Sequence, residues 1–472
     1  MNLIIINIEI TITKRNAMLF LFKINFAQDN FYASILKLVV IRLFIFASLM
    51  SRGKSVALHT LGCKLNYSET SSIERLLEED GFTKKDFTDE ADVYVINTCS
   101  VTDNADKECR HLVRRIRRKA PEAMVVITGC YAQLKPEEIA AIEGVDLVLG
   151  AAEKFNIVKH LQQLTKGDSA KICSCDIEDL NGFNSSFSIN SRTRTFLKVQ
   201  DGCNYNCSFC TIPMARGKSR SNSIENVLNE IKKIAASGTK EIVLTGINLG
   251  DFGRDENGLN TSDNFYKLLE AIEITEGVDR YRISSIEPNL LCDEVIHLVA
   301  GSKKVMPHFH IPLQSGSNKI LGLMRRRYKK ELYAEKIGLI KKLMPHCSIG
   351  VDVITGFPGE TDDDFNETVN FIKEMNISYL HVFTYSERDN TYALNIKPVV
   401  PIHVRNMRTK VLRSLSYRKM QQFLQDHEGE TRKVLFEGKN KNGMMDGYTD
   451  NYIKISIPYK EEWSNEIIDW II

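Results

Sequence analysis

Surplus charge is the first thing missing: 62 Lys and Arg stand against 60 Asp and Glu, a net of +2 over 472 residues. A uniformly basic coat is therefore excluded, although a local basic face can hide in such a sum. Proline is scarce at 11, and the chain is 43% hydrophobic and 26% charged. That profile excludes a disordered chain, a collagen-like chain and a multi-span membrane protein. A long uncharged apolar run is missing too. The stretch 31–50 (FYASILKLVVIRLFIFASLM) is interrupted by Lys37 and Arg42, so its uncharged part is too short to span a bilayer. No clean small-x-small cleavage site marks a signal peptide. Residues 1–49 are read as an extension, a mis-assigned start or a disordered segment, ahead of a working chain that begins at Met50. A membrane anchor is the weaker alternative. No stable membrane association is expected, and the expected location is cytoplasmic.

A dense, even cysteine framework is also absent. Eleven cysteines, an odd number, are spread over a long chain, unlike a secreted disulfide scaffold. Thiols in a reducing cytosol are the reading, and six of them fall into tight motifs. At roughly 150 residues per domain, the length suits about three domains, with enough chain to bury a core unaided.

Residues 50–165 alternate strand and helix patterns. SVALHTLGC, DVYVINTC and MVVITGC are apolar, β-branched runs, with helical patterns at 68–80 and 104–119 between them. This alternation predicts parallel strands, whose carboxyl-end loops gather along one edge. Each run ends in a cysteine: Cys63, Cys99 and Cys130. Three inert buried thiols are the bland reading. Three of three at strand ends points instead to a bound metal or cluster. A structural zinc wants four ligands; three thiolates suit a 4Fe–4S cluster with one open iron. Asn66 and Asn97, nearby, are read as turn or cap residues.

After a linker at 166–194, residues 195–428 open, from Phe196, with FLKVQDGCNYNCSFC. Cys203, Cys207 and Cys210 form a CxxxCxxC motif, with Phe209 before the last thiol. Zinc would need Cys173 or Cys175 as well, at unsuitable spacing. The motif resembles that of radical S-adenosylmethionine enzymes, whose open iron chelates the cofactor's amine and carboxylate. Strand patterns recur at 196–200, 241–245, 281–285, 308–313, 349–354 and 379–384, separated by helical patterns. They predict a partial (β/α)6 barrel with its site at the strands' carboxyl ends. Phe209, Thr245, Gly246, Glu287, Gln314 and Ser315 are the candidate cofactor-binding residues there. His308 and His310 alternate on one strand and are read as barrel lining.

Together, TLGCKLN, VINTCSVT, ITGCYAQ, CNYNCSFC, HIPLQSGS and DVITGFPGET resemble the methylthiotransferase family of radical S-adenosylmethionine enzymes over about residues 55–460. The resemblance implies an α/β fold in three parts: an N-terminal parallel-sheet domain, the radical barrel, and a small C-terminal β-barrel of the TRAM type. It implies two 4Fe–4S clusters. Cys63, Cys99 and Cys130 would hold the auxiliary one; Cys203, Cys207 and Cys210 would hold the radical one. It further implies S-adenosylmethionine as cofactor and methyl donor, an electron donor of flavodoxin or ferredoxin type, a sulfur source, and tRNA as partner. No acid–base side chain needs to dominate. TLGCKLNYSE looks most like the branch acting on threonylcarbamoyladenosine at tRNA position 37. The isopentenyladenosine branch typically reads YGCQMN, and the branch acting on a ribosomal-protein aspartate reads closer to LGCPKN. A binding-only protein and a radical enzyme without sulfur insertion are the other readings; the second leaves the first cysteine set unexplained.

Basic candidates for RNA contact lie at 107–119 (KECRHLVRRIRRK), chiefly Arg114, Arg117 and Arg118, and at 325–330, chiefly Arg325 and Arg326. The helical pattern 404–425 is a third. Arg216, in PMARGKSR, is read as a cofactor or substrate contact. Residues 429–472 show short strand patterns suited to the TRAM-like module, but they end in EEWSNEIIDWII. A truncated last strand with an open edge is expected.

Overall fold

Runs that are apolar on both faces can be buried only in a sheet covered on both sides, the setting of parallel strands. The computed structural model describes residues 54–472 except 101, 102, 168, 181, 190–192, 256 and 441; the side chains of 103–105 are also outside the description. The extension 1–49, with its apolar stretch, therefore lies outside the described residues. Among those described, no helix is long and apolar enough to cross a membrane.

The first sheet holds β1 (Ser55–Thr60), β2 (Thr83–Lys84), β3 (Val93–Thr98), β4 (Met124–Gly129), β5 (Leu147–Leu149) and β6 (Lys171–Cys173). Its order is β2-β1-β3-β4-β5-β6, parallel throughout. All six residues of β3 are buried. Tyr94 and Ile96 pack into one hydrophobic layer with Leu112 and Val113, while Val93 and Val95 pack into the opposite layer with Ile73 and Leu77. Each such side chain contributes about 1.5–3 kcal/mol of burial. The three expected strands are thus joined by three more, each two or three residues long and too short to show a pattern. One of them, β6, lies in the stretch read as linker. So does β7 (Ser186–Phe187), which pairs antiparallel with the next strand.

That strand is β8 (Arg194–Lys198). β9 (Gln200–Asp201) and β10 (Arg220–Ser221) form a short antiparallel pair that closes the loop carrying the CxxxCxxC motif. β11 (Glu241–Thr245), β12 (Arg280–Ile283), β13 (His308–His310), β14 (Ser348–Thr355) and β15 (Tyr379–Thr384) follow. They form two sheets, β12-β11-β8-β7 and β13-β14-β15. Parallel bridges Tyr281↔Val305 and Ser285↔His310 connect the two. Six parallel strands thus succeed one another in chain order over one continuous core.

The helices between them show why they form. In Ile224–Ala235, Val227, Ile231 and Ile234 recur at helical spacing and are buried. Ser223 caps its start by accepting the Asn226 N–H. Asp362–Glu374 opens with a capping box between Thr361 and Asp364. Asp364 also accepts from Ser317 Oγ at 3.1 Å and Lys319 Nζ at 2.6 Å. Burial pushes its carboxyl up, but these donors outweigh burial and hold it at about 2. Asp364→Asn is expected to lose about 1–2 kcal/mol at pH 7. A depressed carboxylate stabilises only while ionised. The deficit should therefore narrow in urea titrations as pH falls from about 3.9 toward 2.

Four antiparallel strands end the chain: β16 (Thr431–Lys439), β17 (Met444–Thr449), β18 (Lys454–Pro458) and β19 (Ile467–Ile471), in the order β18-β17-β16-β19. The last run of the sequence forms β19, which lies at the edge of this sheet, so the expected open edge is present. This strand pairs with β16 from Thr431↔Ile471 to Leu435↔Ile467. Trp463 and Trp470 pack on Phe436 and fix that pairing. This sheet docks at the amino ends of the parallel strands. Arg280 donates to the carbonyls of Tyr448 and Lys433, Arg282 to those of Thr449 and Asp450, and Arg194 pairs with Glu437 at 2.9 Å.

Candidate cluster sites

Two glycines let the loops that carry the first three cysteines approach one another. Gly62 has φ +102°, and a Cβ there would lie 2.5 Å from Cys99 Cβ. Gly129 has φ +99°, and its Cβ would lie 2.3 Å from the Thr98 carbonyl oxygen. Only glycine permits either approach. Cys63 then precedes the helix Lys64–Glu79, Cys99 follows β3, and Cys130 opens the helix Cys130–Leu134. Asn66 donates to the carbonyls of Leu61 and Thr98, and Asn97 to that of Asn66. These two asparagines tie the strand ends together, Asn66 from within the helix Lys64–Glu79 and Asn97 from within β3, rather than from the turns or caps expected.

A buried charge network backs this set. Arg216 bonds Glu69 Oε1 at 3.1 Å, Asp201 Oδ1 at 2.9 Å and Asn66 Oδ1 at 2.6 Å. Lys154 and Lys198 also pair with Glu69, and Arg220 with Asp201. All six charged side chains are at most 7% exposed. Four cations against two anions leave a surplus of two positive charges. Arg216 Nε–H is buried without an acceptor, and Arg216 acts electrostatically on Cys130 and Cys63. An orphaned donor and surplus positive charge beside three thiols fit an anionic thiolate-held cluster. Arg216 thus serves the first cysteine set, although it follows the second in sequence.

In the second set each sulfur accepts one N–H. Tyr205 N–H reaches Cys203 Sγ at 3.4 Å, Ile212 N–H reaches Cys210 Sγ at 3.4 Å, and Arg326 Nη1 reaches Cys207 Sγ at 3.2 Å. Burial pushes Cys203 up to about 11 and Cys210 up to about 12. Metal-free, these thiols keep their protons at neutral pH, while iron ligation favours the thiolates. N–H donors on each sulfur fit such ligation. Cys173 lies in β6, and just beyond it the Cys175 carbonyl accepts from Gln133 Nε2.

The candidate cofactor residues separate. Phe209 and Gln314 line a cavity of about 240 Å³ with Cys210 and Asp352, and Gln314 reaches it through a backbone φ of 65°. Glu287 is engaged by Arg326 beside Cys207. Thr245 instead bonds the Val243 carbonyl, Gly246 packs on Gln200, and Ser315 bonds Thr368 and the Ser317 N–H. These last three shape turns.

The basic candidates also divide. Arg114 and Arg118 are exposed. Arg117 is not free for RNA: it bonds the carbonyls of Gly144, Pro121 and Ala123 and pairs with Asp146 at 2.5 Å. Arg326 is corrected likewise, since its side chain is 4% exposed at Cys207. Arg325 stacks on Tyr392 at 3.8 Å. In the helix Ile402–Gln425, Arg405 and Arg408 are buried in pairs with Glu387, Glu360 and Asp362. Short-range sequence cannot show this, because the acidic partners lie on distant segments.

A second cavity, about 290 Å³, lies inside the strand array. Phe196, Val243, Ile283 and His308 face it from four successive strands, and Cys63 and Lys64 face it from the start of the helix after β1. His310, also on β13, bonds Ser285 Oγ at 3.0 Å and Asp352 Oδ1 at 2.7 Å. Sequence reasoning missed Glu69, Lys154, Lys198 and Tyr452. A signal existed only for Glu69, an acidic residue on the buried side of a helical pattern.

The chain matches the family described as Uncharacterized protein family UPF0004 over residues 55–150 and the Radical SAM superfamily over 197–372. It is 40% identical to a threonylcarbamoyladenosine tRNA methylthiotransferase of Bacillus subtilis, covering 88% of this chain and 92% of that one. For the protein so named in Aquifex aeolicus, identity is 39% over 86% and 97%. A tRNA-2-methylthio-N(6)-dimethylallyladenosine synthase of Clostridium botulinum is 32% identical over 82% and 86%. Among solved structures, the radical S-adenosylmethionine methyltransferase TsrM of Kitasatospora setae matches with a TM-score of 0.53 and 14% identity, over 70% of this chain and 73% of that one. That likeness speaks to the fold alone. The chain belongs to the radical S-adenosylmethionine tRNA methylthiotransferases, enzymes that use S-adenosylmethionine and iron–sulfur clusters.

Proposed function

We propose that this enzyme transfers a methylthio group to carbon 2 of N6-threonylcarbamoyladenosine at tRNA position 37. The observation that carries the chemistry is the pair of separate three-cysteine sets, with Cys63 opening into a cavity enclosed by the parallel strands. Cys63, Cys99 and Cys130 hold the auxiliary 4Fe–4S cluster, and Cys203, Cys207 and Cys210 the radical cluster. When bound, the clusters and S-adenosylmethionine supply the radical and the sulfur. The chain's own residues do the rest. Arg216 and its network neutralise the first set. Arg326 and Glu287 fix Cys207, while Phe209 and Gln314 line the cofactor's cavity.

The substrate reading is supported by relatives named for threonylcarbamoyladenosine, at 34–40% identity, against 32–33% for those named for dimethylallyladenosine. The parts are assigned as a methylthiotransferase domain at 50–165, a partial (β/α)6 barrel at 195–428 and a TRAM-like RNA-binding module at 429–472. The stretch 166–194 bridges the first two while lending β6 and β7 to their sheets. Exposed Arg114 and Arg118 offer a phosphate contact. The electron donor is of flavodoxin or ferredoxin type, and a separate sulfur source restores the auxiliary site. Mass spectrometry of tRNA nucleosides from the host with and without this gene tests the reading. Loss of the 2-methylthio derivative with accumulation of its precursor is expected. An unchanged nucleoside pool overturns the reaction, and loss of methylthio-isopentenyladenosine instead overturns the substrate.

A further inference from the structure

The cavity beside Cys63 holds a cation without a counter-ion. Lys64 lines it and has no ion pair among the described residues. Arg194 and Arg282 also line it, but each already has a carboxylate: Glu437 at 2.9 Å and Glu241 at 2.8 Å. Their joint field is felt by Tyr452. Burial pushes that phenol up, yet Lys64, Arg194 and Arg282 outweigh burial and hold it below its usual range. The walls are aromatic: His308 stacks on Tyr452 with centroids 4.1 Å apart, and Tyr67 meets Phe196 edge to face at 5.8 Å. Flat walls, a thiol and one uncompensated ammonium suit a planar heteroaromatic ring that carries a carboxylate.

We infer that Lys64 is the specificity-determining residue of this cavity and receives the carboxylate of the threonylcarbamoyl group on N6 of the target adenosine. The inference rests on the proposed reaction and deepens it. Lys64 adjoins Cys63 in the chain, so the carboxylate site and the auxiliary cysteine set are neighbours. In the purine, N6 and carbon 2 flank N1, so the substituent and the reacting carbon share one edge of the ring. A carboxylate gains a charge-assisted bond at Lys64. A dimethylallyl group offers no charge to Lys64, an exposed residue, and so forgoes that bond.

The test uses the reconstituted full chain and anticodon stem-loops containing threonylcarbamoyladenosine, either as the acid or as its neutral carboxamide. Binding is read by fluorescence anisotropy. The wild type is expected to favour the acid by about tenfold or more. K64Q should erase that ratio, and K64R should restore most of it. The ratio of acid to amide is the readout, so a variant that loads less iron or binds RNA more weakly overall is still informative. A K64Q protein that keeps the wild-type ratio overturns the role of Lys64 and leaves the reaction standing. A wild type that ignores the carboxylate overturns it as well. A wild type that binds a dimethylallyladenosine stem-loop most tightly overturns the substrate reading itself.

Discussion

Replacing Cys63, Cys99 and Cys130 together by alanine should halve the iron of the reconstituted enzyme, from about eight atoms per chain to about four. Methylthio transfer should stop, while reductive cleavage of S-adenosylmethionine continues. The expectation follows from the separation of the two sets. The first hangs on the strand ends of β1, β3 and β4, and the second on the loop between β9 and β10, where each sulfur has its own N–H donor. Cys63 is exposed and Cys99 and Cys130 lie at the buried ends of strands, so thiol-to-methyl changes there leave the layers of the sheet intact. Iron that stays near eight, or cofactor cleavage lost along with transfer, would mean that the sets are not independent sites.

The second large effect is expected at Glu69. It is fully buried and pairs with Lys154, Lys198 and Arg216. Glu69→Gln leaves those cations with Asp201 as the one remaining carboxylate of the network. Removing one partner of a buried network costs about 3–5 kcal/mol, because the others are stranded away from water. The side chains involved come from the first domain (Glu69, Lys154) and from the strand array (Lys198, Asp201, Arg216), so their packing together should weaken first. Urea unfolding at pH 7 measures the loss. Burial pushes the Glu69 carboxyl up, but Arg216, Lys154 and Lys198 outweigh it and hold the group far below its ordinary range. Its contribution is therefore complete above the ordinary value of about 4.3 and is lost as pH falls through the folded-state value. Wild type and variant should converge in acid. A variant as stable as wild type at pH 7 would show that the surplus cations are relieved in another way.

The placement of the six cysteines was legible because it is carried by spacing. Strand-end thiols and CxxxCxxC are local patterns, and the periodicity around them sets the fold. The charge network was not legible, since Glu69, Lys154 and Asp201 come together only through tertiary packing. The same limit explains the arginines. Arg117 and Arg326 look like members of basic patches in sequence, yet both are spent on carbonyls and carboxylates from distant segments. The short strands β2, β5 and β6 were missed because two or three residues carry no period. The pairing of the terminal strand β19 was not legible in EIIDWII, because it depends on Trp463 and Trp470 closing over Phe436.

The central claim is tested most directly by incubating the reconstituted enzyme with S-adenosylmethionine, a reductant, sulfide and tRNA that carries N6-threonylcarbamoyladenosine at position 37, then digesting the RNA for mass spectrometry. The account predicts the 2-methylthio derivative at that nucleoside, and none on a matched tRNA carrying isopentenyladenosine. Product on the isopentenyl tRNA alone, or on neither, would contradict it.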